Sequence, residues 1–146
     1  MAATKIPTIG ITMGDPAGIG PEIVCRSLTE QSVYDVCRPV VIGSKTALER
    51  AVAAIGSNQR VQIIEDPADA VCSTDTVNVI DLPLDYEFHP GVMDVGNGRA
   101  AISYMEKAYA LISDGKIDAT ASAPCNKEAM KKAGLPCVGA TGFYAK

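Results

Sequence analysis

Apolar runs alternate with amphipathic segments along most of the chain. The runs are rich in β-branched residues, which predicts buried strands at residues 6–13, 39–43, 61–64, 77–82 and 117–121. The segments between them have helical spacing, and they predict a helix from Pro21, helices at 45–55 and 98–113, and a short helix from Asn126 to Gly134. Strands that alternate with helices predict an α/β layered fold with a mostly parallel sheet.

The longest predicted helix, residues 98–113, has a clear apolar stripe. Its members recur at helical spacing and are Ala101, Met105, Ala108 and Ile112. Asn97 is the predicted N-cap of this helix, and Asn126 is the predicted N-cap of the short one.

Composition narrows the possible classes of function. The length of 146 residues suits one domain or a large piece of one. The net charge of −4, without a basic stripe, argues against a nucleic-acid partner. No signal peptide or membrane span is recognised, and the five cysteines form no C-x-x-C pair. We therefore expect reduced thiols and a cytoplasmic location, with no membrane partner.

A glycine-rich turn, residues 14–22, connects the first strand to the first helix. Gly14, Gly18 and Gly20 allow close approach of a ligand, and the following helix start favours an anion. The glycine spacing is neither the dinucleotide-binding G-x-G-x-x-G pattern nor a phosphate-binding loop. From the residues alone, a ligand-binding turn and a tight structural connection both remain open.

A second strand-to-helix turn reads Ala-Ser-Ala-Pro-Cys-Asn-Lys-Glu over residues 121–128. Lys127 adds a positive charge there, so the turn is a candidate anion site. The alternative is that Asn126 only caps the helix and Lys127 is a solvated charge. Cys125 is interpreted as a packed residue, not a nucleophile, because no base is recognised beside it and the lone His89 lies in a loop.

Residues 9–22, 90–101 and 121–128 together resemble motifs of the 4-hydroxythreonine-4-phosphate dehydrogenase family. The variants that act on phosphorylated threonate and erythronate look especially similar. The first motif also resembles the G-D-G-I-G-P-E turn of isocitrate and isopropylmalate dehydrogenases. The resemblance implies a fold of two α/β subdomains, of which residues 1–146 would be a truncated, N-terminal part.

The family's activity implies NAD-dependent oxidation, with decarboxylation, of a small phosphorylated hydroxy acid such as 4-hydroxythreonine 4-phosphate, a step of pyridoxine biosynthesis. By this resemblance Asn126 and Lys127 bind the substrate, and Ser122 replaces a commoner threonine. Asp15 and Gly18 are candidates for cofactor contact. The family also implies a homodimer whose partners complete the site.

The resemblance breaks near the end of the chain. The family has a G-H-T-E motif whose histidine binds a divalent metal (zinc, magnesium or cobalt), whereas here Ala140 occupies the histidine position. Alanine has no ligand atom, so we predict no metal residue in this chain. Two hypotheses follow. In the first, the full-length protein is an enzyme and the 146-residue chain alone is inactive. In the second, the chain is a degenerate, non-catalytic relative that keeps an anion pocket. A weaker third hypothesis is a phosphate-binding or oligomer-forming fragment whose partner supplies the rest of the site.

Overall fold

The computed structural model describes residues 5–135 and 139–145. Within these residues five strands are present, and they are β1 (Thr8–Thr12), β2 (Arg38–Gly43), β3 (Arg60–Ile63), β4 (Thr76–Asp81) and β5 (Ala119–Ser122). The helices of the described residues are α1 (Gly20–Ser27), α2 (Gln31–Val36), α3 (Lys45–Ala54), α4 (Val95–Ser113), α5 (Lys127–Lys132) and α6 (Gly139–Tyr144). A 3-10 turn spans Pro67–Asp69.

The five strands form one sheet in the order β3-β4-β2-β1-β5, and every neighbouring pair is parallel. In the central strand, the consecutive residues Val40, Val41 and Ile42 are all fully buried. Successive side chains of a strand point to opposite faces, so both faces of the sheet are covered. The predicted α/β fold class with a parallel sheet is confirmed.

Helix α4 packs against β1 and β2. The predicted stripe is correct at Ala101, Met105 and Ala108 but wrong at Ile112, which is 38% exposed. Tyr104 and Leu111 are buried instead. They follow Ala101 and Ala108 by three residues each, so the inner stripe turns toward them and Ile112 faces outward.

The predicted N-cap of α4 is wrong. Asp94 caps the helix, because its carboxylate accepts the N–H of Gly96. Asn97 lies inside the first turn and is 1% exposed. Its side-chain oxygen accepts the Tyr86 hydroxyl at 2.8 Å, and its Nδ2 donates to the Val92 carbonyl at 3.3 Å. Asn97 therefore holds the preceding loop against the helix.

Other differences from the predicted elements lie at short helices and strand ends. Helices α2 and α6 were not predicted; each has six residues, and α2 buries only Tyr34. Strand β1 begins at Thr8, where the sequence predicts a start at Ile6, and Ile6 is 55% exposed. Strand β5 covers Ala119–Ser122, where the sequence predicts 117–121. In the part of the chain that the structure describes, no helix has the length and apolar character needed to cross a membrane.

Candidate functional site

The two candidate turns follow neighbouring parallel strands. Strand β1 pairs with β5, and Thr12 is the register partner of Ser122. Because parallel strands end at the same edge of a sheet, the turn after Thr12 and the turn after Ser122 lie side by side. The sequence predicts that the turns near Gly18 and Lys127 lie at the tips of neighbouring parallel strands and open onto a shared crevice. The first part of this prediction is confirmed, because β1 and β5 are neighbours in the sheet.

The two turns contact each other through their backbones. The Asp15 N–H donates to the Pro124 carbonyl at 3.2 Å, and the Ala123 N–H donates to the Thr12 carbonyl at 2.9 Å. Gly14 has a φ of +80°, and a Cβ there would overlap the Pro124 carbonyl. The glycine at position 14 is therefore required by the packing of one turn on the other.

Asp15 is buried and stabilises the first turn. Its carboxylate accepts the Ala17 N–H at 2.8 Å, and its backbone carbonyl accepts the Gly18 N–H at 3.1 Å. Burial raises the pKa of Asp15, and the charge of Asp94 raises it further, although the Ala17 and Gly18 N–H groups oppose this shift. The Asp15 side chain thus stabilises the conformation of the turn. Gly18, at the end of the turn, is exposed.

Gly18 borders a cavity of about 230 Å³ between α1, α3 and the loop before α4. The Arg50 guanidinium is on its wall, 5.5 Å from the centre of the Phe88 ring. The cavity is smaller than the roughly 300 Å³ at which typical small-molecule pockets begin. Asn126 and Lys127 do not line it, so the expected shared crevice is not a single cavity here.

The second turn places its polar residues at the edge of the sheet. Ser122 is exposed at the end of β5, and Asn126 caps α5 by accepting the Ala129 N–H at 3.0 Å. The predicted cap at Asn126 is confirmed. The Lys127 side chain is exposed, and its Cε lies 3.5 Å from where a Cβ on Gly139 would be. Lys127 forms no ion pair with a carboxylate of residues 5–135 or 139–145.

Cys125 is half-buried in this turn. Burial raises the pKa of its thiol, the Asp15 charge raises it further, and the Lys127 charge lowers it. The net direction is upward, which keeps the thiol protonated and unreactive. The interpretation of Cys125 as a packed residue agrees with its contact to the small apolar cluster that contains Met130 and Leu135.

Ala140 lies in α6 and packs against the same apolar cluster. No group of three or more histidine, cysteine, aspartate or glutamate side chains that could hold a metal ion occurs among the described residues. The residues that the structure describes therefore do not fit the divalent metal that the resemblance implies.

A larger cavity, of about 450 Å³, was not predicted from the sequence. It lies between the end of β4, the loop that follows it and the first turns of α4. Its lining comes from two segments, 81–86 and 96–104, and the sequence alone gave no sign that they would face each other. Arg99, which the sequence predicts to be a solvated charge with ligand contact as an alternative, is on its wall.

Comparison with known proteins matches residues 35–146 to the family model described as "Pyridoxal phosphate biosynthetic protein PdxA". The chain belongs to the PdxA family. Its curated relatives include a D-threonate 4-phosphate dehydrogenase of Cupriavidus necator, 44% identical over 141 residues. A putative D-threonate 4-phosphate dehydrogenase of Symbiobacterium thermophilum is 36% identical over 145 residues. Each alignment covers 96% of this chain but 42% of the relative, so the chain spans less than half of their length.

Solved structures of PdxA-family proteins have the same fold. A 4-hydroxythreonine-4-phosphate dehydrogenase from Burkholderia phymatum matches with a TM-score of 0.92 and 42% identity. The match covers 97% of this chain and 43% of that one. The corresponding enzyme from Klebsiella pneumoniae matches with a TM-score of 0.87 and 39% identity, over 95% of this chain and 43% of that one. The relatives are named dehydrogenases, so the family is enzymatic.

Proposed function

We propose that this PdxA-family chain is the N-terminal part of an NAD-dependent dehydrogenase that oxidises and decarboxylates a small phosphorylated hydroxy acid. The observation that carries the proposal is the position of Asn126 and Lys127 at the end of β5, directly beside the glycine turn after β1. These residues also lie in the segment that matches the family model.

The chemistry of the second turn suits a phosphate group. Lys127 offers an ammonium group that no described carboxylate neutralises. Asn126 uses its side-chain oxygen for the cap, which leaves its amide N–H groups as donors toward a ligand. The exposed Ser122 hydroxyl offers another donor at the same edge. A charge-assisted hydrogen bond of this kind stabilises a bound anion by about 1.5–3 kcal/mol.

The names of the relatives support the proposed substrate class. Their names specify 4-hydroxythreonine 4-phosphate and D-threonate 4-phosphate, which are both short hydroxylated acids with a terminal phosphate. We propose that the full-length protein acts on a substrate of this class. We further propose that it works in pyridoxine biosynthesis, in the cytoplasm, and as a homodimer.

NAD would accept the hydride in this oxidation. We propose that it binds near the first turn, where Gly18 is exposed and has no side chain to obstruct a ligand. Asp15 would act there by holding the turn through its hydrogen bond to Ala17. Ala140 and the other described residues do not offer a ligand set for a divalent metal, so they do not by themselves support a metal-assisted step. We accordingly propose that the 146-residue chain alone does not turn over substrate.

A second candidate function is that of a non-catalytic relative that retains the anion pocket. Ala140 favours it, since a methyl group stands where the family has a metal-binding histidine. Both candidate functions require phosphate binding at Lys127. Only the first requires that the protein turns over substrate once the remaining part of a full-length family member is attached.

The test is calorimetric titration of D-threonate 4-phosphate into the chain and into two variants. Lys127→Ala should weaken binding about tenfold, the equivalent of 1.4 kcal/mol. Lys131→Ala is the matched control, because it removes an exposed lysine from the same helix α5 without altering the turn. Equal affinities for wild type and Lys127→Ala would contradict the proposed site, and so would equal losses in both variants.

A further inference from the structure

We propose that Gly98 is a positioning residue for the turn that contains Asn126 and Lys127, because its lack of a side chain lets helix α5 pack closely on α4. The inference rests on the proposed function, since it concerns how that same turn is held in place for a phosphate group. Gly98 is buried in the first turn of α4, so it acts through α5 and not by contact with a ligand.

Gly98 faces the backbone of α5. A Cβ at Gly98 would lie 2.7 Å from the Met130 nitrogen and closer still to the Ala129 carbonyl group. These atoms belong to a main chain, which cannot rotate away as the end of a long side chain can. Because the interior is close-packed, a larger residue at position 98 would push α5 away from α4.

Helix α5 is anchored by two of its residues. Among its six residues, only Ala129 and Met130 are buried. A helix this short is not stable by itself, so its place is determined by the surface on which it packs. The Met130 side chain completes the contact, since it lies in one apolar cluster with Ala101 and Met105 of α4. The position of α5 is therefore set by the bare backbone at Gly98 and by this cluster.

The anchored residue Ala129 also orients Asn126. The Asn126 side-chain oxygen accepts the Ala129 N–H at 3.0 Å, which fixes the amide group of Asn126 relative to α5. Lys127 is the first residue of α5. At its other end the turn is held separately, because the Pro124 carbonyl accepts the Asp15 N–H. A displacement of α5 would therefore change the shape of the turn and move both proposed phosphate ligands.

The alternative is that Gly98 serves only the stability of the fold. Leu111→Ala provides the comparison, because Leu111 is buried near the other end of α4. Leu111 belongs to the main core and not to the cluster that contains Met130. The substitution should lower stability through lost packing while α5 keeps its place.

The experiment measures two quantities in the full 146-residue chain, at a temperature at which circular dichroism shows each variant to be folded. They are the affinity for D-threonate 4-phosphate by calorimetry and the hydrogen exchange rate of the Ala129 amide by NMR. Gly98→Ala should weaken binding at least about tenfold and speed exchange of the Ala129 amide at least about tenfold. Leu111→Ala should leave the affinity unchanged, and it should speed exchange at Ala129 no more than at Val41 in β2.

Met130→Ala removes part of the same contact without a steric clash, and it replaces Gly98→Ala as the test if that variant does not fold. It should weaken binding and speed exchange of the Ala129 amide more than Leu111→Ala does. Unchanged binding or unchanged exchange in the folded test variant would overturn the inference, and so would equal effects in Leu111→Ala. If the wild-type chain does not bind D-threonate 4-phosphate, the proposed function fails. Exchange of the Ala129 amide alone then decides whether Gly98 holds α5 in place.

Discussion

The backbone N–H of Asp15 donates a hydrogen bond to the carbonyl oxygen of Pro124 at 3.2 Å. This bond joins the turn after β1 to the turn after β5, which are more than a hundred residues apart in the chain. The turn that contains Asn126 and Lys127 is thus positioned by the glycine-rich turn, and changes in one should reach the other.

Gly14→Ala should be strongly destabilising. Gly14 has a φ of +80°, which costs roughly 1–2 kcal/mol for alanine, and the new Cβ would also overlap the Pro124 carbonyl. Gly56→Ala is the matched control, since Gly56 has a φ of +65° but no atom within 4 Å of its Cβ position. Urea denaturation should show a larger loss for Gly14→Ala, by at least about 1 kcal/mol. Equal losses would mean that the two turns separate easily.

Tyr104→Phe should stabilise the ligand-free chain by about 1 kcal/mol. The variant removes a buried hydroxyl without a partner, and such a group costs roughly 1–3 kcal/mol. Tyr34→Phe is the opposite case, because the Tyr34 hydroxyl donates to the Leu28 carbonyl at 3.2 Å. It should lower stability by about 1 kcal/mol. Thermal unfolding of the two variants measures both effects, and a loss of stability in Tyr104→Phe would show that its hydroxyl is already satisfied.

The sheet and the order of its main elements could be predicted because the signals are local. Runs such as Val40-Val41-Ile42 are buried on both faces, so their apolar character is continuous and easy to recognise. The cap at Asn126 was predicted for the same reason, since one side chain and the next few backbone groups determine it.

The rest depends on contacts between distant segments. Asparagine is a common N-cap residue, which is why Asn97 was predicted to cap α4. Its side-chain oxygen instead accepts a hydrogen bond from the Tyr86 hydroxyl of the preceding loop. Tyr104 and Arg99 were not predicted to line a cavity, because the opposite wall is built by residues 81–86. Helix α2 lacks a side-chain cap and an apolar stripe, so no pattern marked it.

Asp15 should cause the free energy of unfolding to decrease as pH rises. Its pKa is raised in the folded chain, chiefly by burial, so the folded state binds more protons than the unfolded state between the ordinary Asp pKa and the raised one. Stability contributed by this group is therefore present at low pH and lost as pH rises through that interval. Asp15→Asn should remove the decrease while its amide oxygen still accepts the Ala17 N–H.

Asp66→Asn is the control for the pH experiment. Lys116 and the Ala68 N–H lower the pKa of Asp66, so its stabilising contribution is lost as pH falls through the folded pKa. The two variants should thus change the pH dependence in opposite directions when urea midpoints are measured from about pH 3 to pH 7. The same slope in wild type and Asp15→Asn would show that Asp15 titrates normally.

Ala140→His tests whether the loss of a metal ligand explains an inactive site. A suitable protein is a chimera in which these 146 residues replace the matching part of the Cupriavidus necator relative, which aligns over 141 residues. The variant should raise turnover of D-threonate 4-phosphate with NAD by at least about 100-fold, because a Lewis acid lowers such a barrier by several kcal/mol. Divalent metal should also bind more tightly by calorimetry.

Thr141→His in the same chimera is the control, since it adds a histidine one position further along α6. It should change neither turnover nor metal affinity. If the parent chimera already turns over substrate with bound metal, Ala140 does not stand at a ligand position, and the non-catalytic alternative loses its main support. If the Ala140→His variant binds metal tightly yet stays inactive, the cause of the inactivity lies elsewhere in these residues. That outcome would support the non-catalytic alternative.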